Sequence, residues 1–119
     1  MTSDAFSEPL EPLEPEIAWA LYRLEDFGLS PEEMTGVIAF RSSGATCEEL
    51  ALFGFSDESA AKTAHTALED YLSTQIDTNR NYRPQDIPKL EHAFLERRGT
   101  SVLLMVADDY KAADNLISP

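Results

Sequence analysis

Two short apolar runs constrain this chain more than any other feature. In "VLLMVA" (102–107), alternation puts Val102, Leu104 and Val106 on one side of a strand and Leu103, Met105 and Ala107 on the other. In "ELALFGF" (49–55), Leu50 and Leu52 oppose Ala51, Phe53 and Phe55. An antiparallel sheet with one wet face alternates apolar with polar residues, and neither run does so. Both faces of the sheet therefore need cover. One suits a helix. The other, left bare, would expose an apolar tract of roughly several hundred Å2, more than a soluble monomer usually shows. The expected cover is the aromatic segment 16–29, with a second copy of the chain, in a homodimer, as the alternative.

The remaining elements follow from periodicity and punctuation. "SDESAAKTAHTALEDYLSTQIDTNR" (56–80) predicts a long helix. Ser56 or Asp57 caps it, and Ala61, Ala64, Leu68, Tyr71, Leu72 and Ile76 form one stripe. "EIAWALYRLEDFGL" (16–29) predicts an aromatic-rich helical segment ending at Gly28, and "SPEE" (30–33) a capping box on a short turn. "VIAF" (37–40) and 49–55 predict one hairpin, and "FLERRG" with "TSVLLMVA" (94–107) predicts a second around Arg98 and Gly99. Asp108 would cap a last short helix with Ala112, Ala113, Leu116 and Ile117 inward. Strands that arrive in hairpins pair antiparallel. The expected class is α+β: a four-stranded, mainly antiparallel sheet from two hairpins, with the long helix on one face.

At 119 residues the chain is one domain, expected over 16–119. Residues 1–15, with "EPLEPLEPE" at 8–16, predict an extended, solvated acidic tail or linker, because proline fixes φ and removes donors. The formal net charge is -13, and residues 1–33 alone hold nine acids and one base. Phosphate backbones and anionic lipid surfaces repel such a chain, so nucleic-acid binding is not expected. No apolar run reaches the ~20 residues of a membrane span. A leader is not visible, which reads as a cytoplasmic protein or one whose leader is missing from this sequence.

"SSGATCEELALF", the long helix after it, and "NYRPQDIPKLEHAFLERRGTSVLLMVADD" together resemble a bacterial domain of unknown function, the family numbered 4358. The more specific pieces are the Gly-Ala-Thr turn with Glu49 leading an apolar strand, Tyr82 with Pro84, and the run from Lys89 and Leu90 to Gly99, Val102, Leu103 and Leu104. Asp108 and Asp109 also fit. Members look like small secreted or lipid-anchored proteins, so the resemblance implies an extracytoplasmic location. It implies no activity. Cys47 stands where a small or acidic residue is expected.

The groups that could carry chemistry each have a plainer reading. Cys47 is the only cysteine and has Glu48 and Glu49 beside it, which would raise its pKa. A quiet cysteine at a strand start is preferred to a nucleophile. Ser42 and Ser43 before Gly44 lie between strands, not at the strand-to-helix turn of a nucleophile elbow. His65 and His92 show no zinc spacing. Of the acid pairs, Glu32–Glu33, Asp57–Glu58 and Asp108–Asp109 fall at helix starts, while Glu48–Glu49 and Glu69–Asp70 do not. None forms a calcium loop. Tyr82 and Arg83, in the longest irregular connection, are the candidate surface-recognition residues; the alternative, which is preferred, packs Tyr82 inward to tie down the loop. No catalytic residue, metal ligand or cofactor is assigned. The expected function is non-catalytic binding of a protein or cell-envelope component. The alternatives are a small hydrolase-like enzyme pairing a histidine with a carboxylate in a pocket, and a homodimeric structural domain.

Overall fold

In a computed structural model, the chain forms a five-stranded antiparallel sheet in the order β1-β2-β3-β5-β4, with a 25-residue helix across one face. Residues 6, 7, 9–42 and 46–109 are described. The elements are β1 (Glu11–Pro12), α1 (Pro15–Leu21), β2 (Met34–Arg41), β3 (Glu49–Phe55), α2 (Glu58–Tyr82), α3 (Ile87–Glu91), β4 (Phe94–Arg98) and β5 (Ser101–Val106). The expected C-terminal helix falls outside the described residues.

The two hairpins form as the alternation predicts. β2 pairs with β3, and β4 pairs with β5 through a turn in which Gly99 has φ of 61°, a left-handed conformation that favours glycine. β3 then pairs antiparallel with β5 and joins the hairpins at the sheet centre. The Asp57 carboxylate caps α2 by accepting from the Ala60 N–H at 2.7 Å. Ala60, Ala61, Ala64 and Ala67 are buried, and their small side chains let α2 lie close on Ala51, Phe53, Val102 and Leu104.

The sheet has five strands rather than four because the proline-spaced segment docks. Glu11 and Pro12 pair with Arg41 and Phe40, and the Leu13 N–H donates to the Ala39 carbonyl at 2.8 Å. Proline is tolerated there because β1 is an edge strand with no further ladder to feed. Upstream, Phe6 and Leu10 are buried against Met105 and Ala107, with Phe40, Leu50 and Phe94 around them. Residues 6, 7 and 9–12 therefore form a strap across the second face, where a solvated tail was expected.

The strap is held by a narrow margin. Burying Phe6 and Leu10 contributes about 2 kcal/mol each. Ordering the backbone costs about 1 kcal/mol per residue, somewhat less where proline has already fixed φ. The ordering cost exceeds the apolar gain, so the polar contacts of Ser7 and the β1–β2 ladder are needed to hold the strap.

The aromatic segment 16–29 lies elsewhere than expected. α1 stops at Leu21, Arg23 takes a positive φ of 55°, and Leu24–Phe27 is a 3-10 turn. This reversal drives Tyr22 and Leu24 into the core on the α2 side, where the Tyr22 ring meets Phe53 edge-on at 5.4 Å and Tyr71 at 4.9 Å. Ser30–Glu33 forms a short 3-10 turn in which the Glu33 carboxylate accepts from the Ser30 N–H at 3.0 Å.

The second face thus carries two registered rows. Phe40, Leu50, Met105 and Phe94 lie under the strap, and the next row is Ile38, Leu52, Leu103 and Glu96. That row is open: Ile38 is 59% exposed and Leu52 44%.

Candidate functional site

The start of β3 collects Glu48, Glu49 and Asp86, three of the four buried polar or charged residues among those described. The connection before it is a turn built by hydroxyls. The Thr46 N–H donates to Ser42 Oγ at 3.2 Å, the Glu48 N–H to Thr46 Oγ1 at 3.0 Å, and the Ser42 N–H to the Glu48 carbonyl at 3.0 Å. Ser43 and Gly44 lie outside the described residues. This hydrogen bonding presents Glu48 and Glu49 at the end of the sheet, with their side chains diverging.

Glu49 enters the α2 side and is 1% exposed. Its two carboxylate oxygens accept from the Tyr22 and Tyr71 hydroxyls, each at 2.6 Å. Burial pushes the Glu49 carboxyl above its ordinary value, partly offset by the two tyrosine bonds and by the nearby Arg41 guanidinium. Burial, with Glu49 beside them, likewise pushes both tyrosines up, so they remain hydrogen-bond donors.

Glu48 turns to the strap. The Ser7 N–H donates to it at 2.7 Å, and the Ser7 hydroxyl donates to its other oxygen. Lys89 Nζ lies 3.0 Å from Glu48, 3.2 Å from Asp86 and 3.3 Å from Asp108, with only 15% of its side chain exposed. Burial alone would raise the Glu48 pKa. The bonds from Ser7 and Lys89 outweigh it and hold the carboxyl below the usual range. Burial lowers the Lys89 pKa, but the surrounding carboxylates more than compensate and push it up. Two adjacent glutamates are thus driven in opposite directions, Glu49 up by burial and Glu48 down by its hydrogen-bond partners.

Asp86 completes the cluster by accepting from the Cys47 N–H at 3.0 Å. Burial and the Asp86 charge push the Cys47 thiol up, against a smaller opposing pull from Arg83, so it stays protonated and is not activated as a nucleophile. Its charged neighbours are Asp86 and Arg83, from a distant turn, rather than the two glutamates beside it in sequence. Three carboxylates meet here, but an ammonium stands at their centre. Among the described residues no group of histidine, cysteine or acidic side chains is arranged to hold a metal ion.

The other sequence candidates sit apart from this cluster. His65 Nδ1 lies 3.3 Å from Glu69 one helical turn on, in an open depression with Lys62, Thr66 and Leu95, not in an enclosed pocket. His92 Nδ1 is 2.8 Å from the Pro88 carbonyl. Tyr82 is the last residue of α2 rather than part of a loop. It is 74% exposed, with the Arg83 guanidinium 5.3 Å from its ring centroid, so it does not pack inward.

The profile of a domain of unknown function (DUF4358) matches residues 24–107. The chain belongs to this family. No curated protein and no solved structure matches it. The DUF4358 match contains Glu48, Glu49, Tyr71, Asp86 and Lys89 but starts after both Tyr22 and the strap. Sequence reading missed the cluster. Its one signal was that Glu48–Glu49 is an acid pair at a strand start, where no helix dipole accounts for it.

Replacing Lys89 with Met leaves three carboxylates without their cation and should cost about 3 kcal/mol in urea unfolding at neutral pH. A loss below about 1 kcal/mol would show that the cluster is solvated. Glu49 has a distinct pH signature. The folded chain holds its proton more tightly than the unfolded chain does. The stability it contributes is complete below its ordinary value of 4.5 and is lost as pH rises through its raised folded-state value. The Glu49→Gln variant lacks this slope, so its stability relative to the parent should improve as pH rises above the ordinary carboxyl value of 4.5. A pH-independent difference would contradict the assignment.

Proposed function

We propose that this DUF4358 domain is a non-catalytic binding module of a secreted or membrane-anchored protein, and that it recognises a protein or cell-envelope component through the open row of its second sheet face. The observation that carries this reading is the exposure of Ile38 and Leu52 beside Leu103 on a rigid sheet, flanked by Ser101, Glu96 and Arg98 in a shallow depression. Apolar residues rimmed by charge are the composition of an interaction patch. Tyr82 with Arg83, at the end of α2, is a smaller second patch of the residue types enriched at interfaces.

The buried polar groups point the same way. Glu48, Glu49, Asp86, Lys89 and the two tyrosines are engaged with one another, so their chemistry goes into holding elements together. The extracytoplasmic placement rests on the family resemblance. Among the described residues no helix is long and apolar enough to cross a membrane.

The test is the paired substitution Ile38→Ser and Leu52→Ser. Both side chains are about half exposed, so unfolding stability should change by about 1 kcal/mol or less. Affinity capture from envelope extract, with purified parent and variant side by side, should yield a component that the parent retains and the variant loses. Identical recoveries from the two would contradict the proposed surface.

A further inference from the structure

We infer that the strap is exchangeable, and that the groove beneath it accepts residues 6–12 of a second copy of this chain in a strand-exchanged dimer. The groove is lined by Phe40, Leu50, Phe94, Met105 and Ala107, with Glu48 and Lys89 at its end. All seven lie inside the DUF4358 match, whereas the strap lies outside it. The acceptor therefore lies within the matched family domain and its occupant outside the match.

The strap binds as extended peptides bind sheet edges. Glu11 and Pro12 add a strand to β2, Phe6 and Leu10 fill the apolar groove, and Ser7 donates twice to Glu48. An identical strap from a second copy would make identical contacts, so exchange costs no native interaction except at the hinge. The hinge is Leu13 and Glu14, extended between β1 and the Pro15 start of α1. Prolines at 9, 12 and 15 stiffen this stretch toward extended conformations, which suits it to reaching away from its own domain. The strap is held in cis by few contacts, the apolar burial of Phe6 and Leu10, the Glu11–Pro12 ladder and the Ser7 bonds to Glu48. The inference stands on the strap and does not require the proposed envelope partner.

The experiment is sedimentation equilibrium of the full-length chain, with a synthetic peptide of residues 6–14 as competitor. The expected result is a monomer–dimer equilibrium in which the dimer fraction rises with concentration. Salt should raise it further, because each copy carries a formal charge of -13. Excess peptide should return the dimer to monomer. In parallel, a fluorescein-labelled peptide should bind the Ser7→Ala/Leu10→Ala chain about tenfold more tightly than the parent, since the weakened resident strap leaves the groove open more of the time. Circular dichroism checks the fold, and Ser7→Ala alone serves if the double variant unfolds. A chain that is monomeric throughout, a dimer that persists in saturating peptide, or equal peptide affinity for parent and loosened chain would each overturn the inference.

Discussion

The fold depends on two adjacent carboxylates at the start of β3 whose side chains go opposite ways. Glu49 is anchored by Tyr22 from the turn after α1 and by Tyr71 from α2. Glu48 is anchored by Ser7 from the strap and by Lys89 from α3. One dipeptide on the central sheet thus fixes four elements that arrive from distant parts of the chain. Apolar packing supplies most of the stabilisation. These polar contacts instead specify which element sits on which face, because leaving any of these buried groups unpaired would cost far more than a surface contact contributes.

The division of labour between the two sheet faces follows. On the α2 side, Phe53, Leu68, Leu104 and the alanine stripe make a dry core sealed by α1 and the 3-10 turn after it. The opposite side is only half sealed. The strap covers the row nearest Glu48, and the row of Ile38, Leu52 and Leu103 stays open. Ile38 and Leu52 are exposed there, while Glu48, Glu49, Asp86, Tyr22 and Tyr71 are buried and hydrogen-bonded.

Much of this was legible in the sequence. Period-2 runs gave β3 and β5, the alanine stripe gave α2 and its inward face, and Gly99 gave the second turn. The doubly apolar runs demanded cover on both faces, and the second face is covered only over the row beneath the strap, with Ile38 and Leu52 exposed. What failed was the identity of the cover. Segment 16–29 is amphipathic enough for either face, and only the positive φ at Arg23 and the hydrogen bond from Tyr22 to Glu49 commit it to the α2 side. The strap was misread because proline spacing signals extended backbone without saying whether that backbone is solvated. Phe6 and Leu10 dock only because Ser7 finds Glu48, a partner 41 residues away. The Lys89 cluster was hidden for the same reason: its members are scattered in sequence, and only folding brings them together.

The central claim is that burial of Glu49 and the Ser7 and Lys89 bonds to Glu48 set these adjacent carboxyls in opposite electrostatic states. Carbon-13 NMR titration of the glutamate side-chain carboxyls measures this directly. The Glu48 resonance should titrate below the ordinary carboxyl value of 4.5 and the Glu49 resonance above it. Two curves that coincide at the ordinary value would contradict the assignment of these residues as the buried anchors of the fold.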